Sequence, residues 1–184
     1  MLALALPYLG LAASIELIAP DQTCHLDISA AHPVGMFSIV AVGGAEATCC
    51  AGFTGAEFRV EGLPGDWQAI TLANPSAAVV LGHPFGDGVN IAFATASMEP
   101  SVVLLSGSLI YLGVGEPPPT VLRVLAKNPP SSPEFPCPAV TGGDCLCDYA
   151  IACVTGGLLY INGAGNCLVG VEPSTWSGVK QLYQ

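Results

Sequence analysis

Turn-forming residues punctuate this chain roughly every 8–12 positions, and short runs rich in Val, Ile, Leu and aromatic residues lie between them. That rhythm constrains the fold more than any other feature, because it admits short strands and excludes long helices. The 22 Gly and 16 Pro among 184 residues point the same way, since both residues destabilise helix interiors. Ala56–Glu61 shows the period-2 pattern of a half-buried strand, with Phe58 and Val60 on one face and Glu57, Arg59 and Glu61 on the other. Cys24–Ile28 alternates in the same way. The continuous apolar run Met36–Val42 and the largely apolar stretches Ser14–Ala19, Trp67–Leu72, Ala77–Leu81, Val89–Ala94, Val102–Leu112 and Thr120–Lys127 read as further strands. Asp148–Thr155 and Leu158–Asn162 add two more. The expected fold is all-β: an immunoglobulin-like or jelly-roll β-sandwich with a disulfide-rich C-terminal hairpin region and a short C-terminal helix.

Composition divides the chain. Residues 1–14 are a leader-like apolar segment, and the first charge is Glu16. The apolar run is shorter than the roughly 20 residues of a membrane-spanning helix. It fits the apolar part of a secretory leader with a small-residue exit at Ala12-Ala13-Ser14, although no Lys or Arg precedes it. A buried first strand and an intact anchor are the alternatives. Residues 15–127 form the sandwich body, and residues 128–138 (Asn-Pro-Pro-Ser-Ser-Pro-Glu-Phe-Pro-Cys-Pro) a Pro-rich connection that no central strand accommodates. Residues 139–171 are Cys-rich strands completing the sandwich. Residues 172–184 form a short helical tail, where Trp176, Val179 and Tyr183 share one apolar face at i, i+3, i+7. Ser174 is placed to cap that helix. With Leu182 these side chains make a docking tail, since so short a helix needs a surface to lie on.

The chain has eight cysteines: Cys24, Cys49, Cys50, Cys137, Cys145, Cys147, Cys153 and Cys167. An even number behind a leader-like start reads as disulfides formed in an oxidising compartment. Eight cysteines allow 105 pairings. A bond between the neighbours Cys49 and Cys50 is strained, so they are expected to reach different partners. The expected pairs are Cys24–Cys50, Cys153–Cys167 across a Gly-rich hairpin, and Cys137 with Cys145 or Cys147. A zinc set of Cys137, Cys145, Cys147, Cys153 and His25 is disfavoured, because Cys-x-Cys is not the usual knuckle spacing.

Catalytic motifs are missing from the sequence. It has no Gly-x-Ser-x-Gly elbow, no phosphate loop ending in Lys-Ser or Lys-Thr, and no His-Glu-x-x-His. The loop Gly82-His83-Pro84-Phe85-Gly86-Asp87-Gly88 reads as a tight connection, with His83 and Asp87 its only candidate ligands. Glu57, Glu61 and Asp66 read as a solvated polar face rather than a glycosidase pair. Gly142-Gly143-Asp144 with Asp148 lacks the spacing of a calcium loop, which leaves adventitious calcium on an acidic surface as the only ion binding expected. No cofactor is expected. With 14 Asp+Glu against 4 Lys+Arg, the chain is unsuited to nucleic acid and to anionic membranes.

Thr54–Val60, Asn74-Pro75, Val79–Asn90, Asn128-Pro129-Pro130-Ser131 and the closing Cys-rich region resemble the cohesin-like and immunoglobulin-like sandwiches of secreted bacterial proteins. Glu172–Tyr183 is similar to C-terminal tails of exported bacterial proteins. The resemblance implies a sandwich fold, export and a passive role. Cohesins bind dockerin modules, but no cohesin binding residue transfers onto a position here.

The expectation is a non-catalytic extracellular or cell-surface structural, adhesion or assembly module, with itself or another protein as partner. It includes a filament sub-hypothesis, in which residues 2–19 donate a strand to a neighbouring copy, and no stable membrane insertion of the mature chain. The alternative is a secreted ligand-binding module for carbohydrate or protein, with Trp67, Phe85, Tyr111 and Tyr160 available to stack on sugar rings.

Overall fold

The computed structural model describes residues 14–43, 52–97, 99–143 and 149–167, and every regular element among them is a strand. In chain order these are β1 (Ser14–Ile18), β2 (His25–Leu26), β3 (Val34–Val42), β4 (Phe53–Glu61), β5 (Trp67–Ala73), β6 (Ala77–His83), β7 (Gly88–Ser97), β8 (Ser101–Tyr111), β9 (Thr120–Leu125), β10 (Ala139–Gly143), β11 (Tyr149–Cys153), β12 (Thr155–Gly156) and β13 (Leu158–Ile161). The first sheet runs β12-β1-β3-β8-β5. In the second, β4 is the hub: β7 lies on one side of it and carries β6, while β10 and β9 share the other. From there β10 leads to β11, and β9 leads through β13 to β2.

Alternation selects the faces. On β4, Ala56, Phe58 and Val60 turn inward and are buried, whereas Glu61 is exposed. They meet Ile15, Leu17, Phe37, Ile39, Leu104 and Leu109 of the first sheet in one core, which also takes in Leu122, Leu159 and Ile161. Burying side chains of this size is worth about 1.5–3 kcal/mol each, which is the main term holding the layers together.

The sandwich closes where two chain segments cross between sheets side by side. β1 lies in the first sheet and β2 in the second. β12 runs parallel to β1 and β13 parallel to β2, so the C-terminal segment makes the same crossing alongside the N-terminal one. Gly157 is the crossing point: its N–H donates to Ile15 (2.8 Å), and its carbonyl accepts from Val124 (3.0 Å). A Cβ there would sit 2.9 Å from Glu16 Cα, so only glycine fits so close to the neighbouring backbone.

The structure departs from the sequence pattern at two places in the C-terminal region. Asp148–Thr155 is not one strand: β11 belongs to the second sheet and β12 to the first. Ala139–Gly143, two apolar residues before Thr-Gly-Gly, carries too little pattern to announce a strand. It is β10, recruited by pairing with β4 and β11. β11 therefore pairs antiparallel with β10, and this pair, with Cys137 bonded to Cys153, is the hairpin of the Cys-rich region. The helical tail with Ser174, Trp176, Val179, Leu182 and Tyr183, and the leader-like residues 1–13, lie outside the described residues.

Candidate functional site

The disulfides differ from those expected. Cys24 bonds to Cys167 across 143 residues, and Cys137 bonds to Cys153 across 16. The expected Cys24–Cys50 and Cys153–Cys167 pairs are therefore excluded, as is Cys137 with Cys145 or Cys147. The reason is the closure: β13 lies beside β2, which brings the segment after β13 back to Cys24. Proximity in sequence had favoured the wrong partners. Cys49, Cys50, Cys145 and Cys147 lie outside the described residues.

The closure is also the best-connected polar region. Tyr160 N–H donates to the Cys24 carbonyl (2.8 Å), and Ile28 N–H donates to Asn162 Oδ1 (2.7 Å). Asn162 also donates from Nδ2 to the Pro117 carbonyl (3.1 Å) and sits at φ 52°, a conformation asparagine tolerates. The His25 and Tyr160 rings stack at 5.5 Å. Cys24, His25 and Cys167 bring their ligand atoms together, but the two sulfurs are bonded to each other and offer no thiolate to a metal. Of the zinc set considered from sequence, Cys137 and Cys153 are likewise bonded.

Among the polar candidates, His83, Glu57 and Glu61 have side-chain partners within the fold, and Asp66 and Asp87 are held through their backbone carbonyls. His83 Nδ1 accepts from Phe85 N–H (3.3 Å), and the Asp87 carbonyl accepts from Asn128 N–H (2.7 Å). Gly88 closes this loop at φ 122°, where a Cβ would press on the Phe58 carbonyl (2.8 Å). Glu61 pairs with Arg59, whose Nε donates to the Ala126 carbonyl (2.7 Å). Asp66 serves through its backbone, its carbonyl accepting from Leu112 N–H (2.8 Å). Glu57 accepts from Ser131 N–H (2.9 Å) and so pins the Pro-rich connection over the outer face of β4 and β7. Asp144 and Asp148 lie outside the described residues. At the β1–β2 turn, hydrogen bonds from the backbone N–H and hydroxyl of Thr23 hold the Asp21 carboxyl below the usual carboxylate range.

Two surfaces remain. The first is a cleft of about 260 Å³ under the Pro-rich connection, lined by Asn90, Ala92, Phe135, Ala139 and Ile151 among others. Asn90 donates to Ser131 Oγ (3.2 Å), while its Oδ1 is buried without a partner. The second is a pair of uncharged faces, one on β3, β5 and β8 of the first sheet and one on β6 of the second. β3, β5, β6 and β8 contain no Asp, Glu, Lys or Arg, yet Val34, Met36, Ile70, Leu72, Val103 and Leu81 stand exposed on them. The sequence announces these faces only as missing charge, because buried and exposed faces of an uncharged strand read alike. The aromatic residues offered for sugar stacking are elsewhere. Trp67 and Tyr111 are buried against each other at 5.1 Å, and Phe85 packs edge-on to Phe37.

No protein-family model matches this sequence, and neither does any curated protein. Solved structures do match. The chain is similar to the cohesin module of a family 33 glycoside hydrolase from Clostridium perfringens, with a TM-score of 0.54 and 10% identity over 83% of this chain and 96% of that one. It is also similar to the seventh ScaB type I cohesin of Pseudobacteroides cellulosolvens, with a TM-score of 0.53 and 10% identity over 85% and 95% of the two chains. The fold is thus a cohesin-like β-sandwich, as the sequence resemblance implied.

Proposed function

We propose that this chain is a non-catalytic extracellular module that works by holding protein surfaces together. The observation that carries this reading is the uncharged strands β3, β5 and β8 of the first sheet and β6 of the second, which leave apolar side chains in water on a chain of net charge −10. The cohesin-like fold and two disulfides support it. So does the engagement of the Glu57, Glu61 and His83 side chains by neighbouring residues of the fold. A filament role is the finer form of the reading. Here β1 is built into the chain's own sheet between β12 and β3, so a donated strand would have to come from the residues before Ser14.

The alternative, a secreted ligand-binding module, draws its support from the cleft beside Asn90. Its apolar lining and single open acceptor suit an apolar side chain of a protein partner better than a sugar. In situ cross-linking on the cells that produce the chain tests the main reading. The expected result is recovery in covalent adducts with protein, either itself or another. Recovery only as an uncross-linked monomer, at cross-linker doses that capture known surface complexes, overturns it.

A further inference from the structure

We propose that β6 is the strand through which two copies of this chain pair, edge to edge and antiparallel, which rests on the assembly reading above and names its surface. β6 pairs with β7 on one side only, and among the described residues no strand occupies its other edge. A free edge presents a row of unpaired N–H and C=O groups, and soluble proteins guard such edges with charge, proline, covering loops or shortness. β6 is seven residues, Ala-Ala-Val-Val-Leu-Gly-His, with neither a charge nor a proline. Of the other edges, β5 is equally long and uncharged, but its inward Trp67 is buried, and β11 is tied by the Cys137–Cys153 bond. β2 and β12 are two residues each, and β2 lies beside the Cys24–Cys167 bond.

The core is unfinished at β6. Val80 pairs with Ile91 and points to the same side as that residue. Ile91 is 3% exposed, but Val80 is 39% exposed. Val79 and Leu81, on the opposite side, are 46% and 61% exposed. An inward-directed valine left half uncovered marks the place of a missing neighbour.

The occupant follows from charge and symmetry. Two bodies of net charge −10 repel, so copies meet most easily where neither carries charge. From Trp67 to Gly86 the chain has no Asp, Glu, Lys or Arg, and this stretch contains both β6 and the adjacent edge strand β5. An antiparallel copy centred on Val80 sets Val80 against Val80 of the second copy. It also sets Val79 against Leu81 of that copy, apolar against apolar on the same side. Such a pairing is isologous and closes as a dimer.

Sedimentation of the oxidised full chain over a wide concentration range tests this. The expected species are monomer and dimer. Lysine at both positions (Val79→Lys with Leu81→Lys) sets like charges opposite each other and weakens dimerisation by at least about tenfold. Val79→Glu with Leu81→Lys sets Glu opposite Lys and restores it. Ile70→Lys, on the outer face of β5, leaves dimerisation unchanged. The β-sheet circular dichroism spectrum and the thermal midpoint check that each variant folds. The pairing is overturned by a wild type that stays monomeric, by growth past the dimer, by a double-lysine variant that dimerises like wild type, or by failure of the charge-swapped pair to recover. A monomeric pure chain that is still cross-linked to another protein on cells sinks this pairing and leaves the assembly reading standing.

Discussion

The two flanks of the sandwich are finished in opposite ways. On one, β1 with β2 and β12 with β13 cross between sheets in parallel, and the Cys24–Cys167 disulfide ties the two crossings together. On the other, β5 and β6 end their sheets with free edges, joined only by Asn74-Pro75-Ser76, and apolar side chains stand in water. The closed flank holds its geometry with covalent bonds and buried side chains. The open flank has neither, and what it offers is surface.

Removing the staple tests that difference most severely. Replacing both Cys24 and Cys167 with Ser frees a loop longer than 100 residues in the unfolded chain, and is expected to cost about 4–5 kcal/mol in chemical denaturation. Removing Cys137 and Cys153 together frees a short loop and costs about 3 kcal/mol. Equal losses from the two double variants would break the chain-entropy account of the closed flank.

A matched pair of leucines gives the next contrast. Leu159 on β13 is fully buried, and Leu72 on β5 is 71% exposed. Leu159→Ala is expected to cost about 2–5 kcal/mol and Leu72→Ala less than about 0.5 kcal/mol in the same assay. A costly Leu72→Ala would mean that the open flank is covered by part of the same chain.

Glu57→Ala removes the acceptor for Ser131 N–H and is expected to cost about 1 kcal/mol or less. Its clearer readout is hydrogen exchange, which should speed up at Ser131 while β13 stays protected. The smallest effect concerns Asp21. Its folded carboxyl titrates below the unfolded value, so its contribution is present above the unfolded pKa and is lost as pH falls through the folded one. Thr23→Val removes the side-chain bond and should move the Asp21 carboxyl back up in an NMR titration, with little change in global stability.

Much of the strand content was legible because it is a local property. Phe58 and Val60 alternate with charged neighbours, and β4 follows with the faces that pattern predicts. Met36–Val42 and Val102–Leu112 sit within or nearly coincide with β3 and β8, since β-branched runs between turns have few other uses. β10 was not legible: Ala139–Gly143 has no alternation of its own and becomes a strand by lying between β4 and β11. Trp67 and Tyr111 fitted the core first and a sugar-stacking surface as the alternative, because aromatic composition carries no direction, and the sheets turned both inward. The exposed faces of β3, β5, β6 and β8 were hidden for the same reason.

By itself, the order of residues determined that the chain builds strands, where most of them begin and end, and that the body is an acidic sandwich with an even complement of cysteines. These follow from turn chemistry and side-chain alternation, which act over a few residues. Tertiary structure decided which strands are neighbours, which cysteines meet, and which apolar side chains are left uncovered. Cys24 and Cys167 stand 143 residues apart, and no local preference reaches that far. Only the parallel crossing of the β1–β2 and β12–β13 segments between the sheets brings them together.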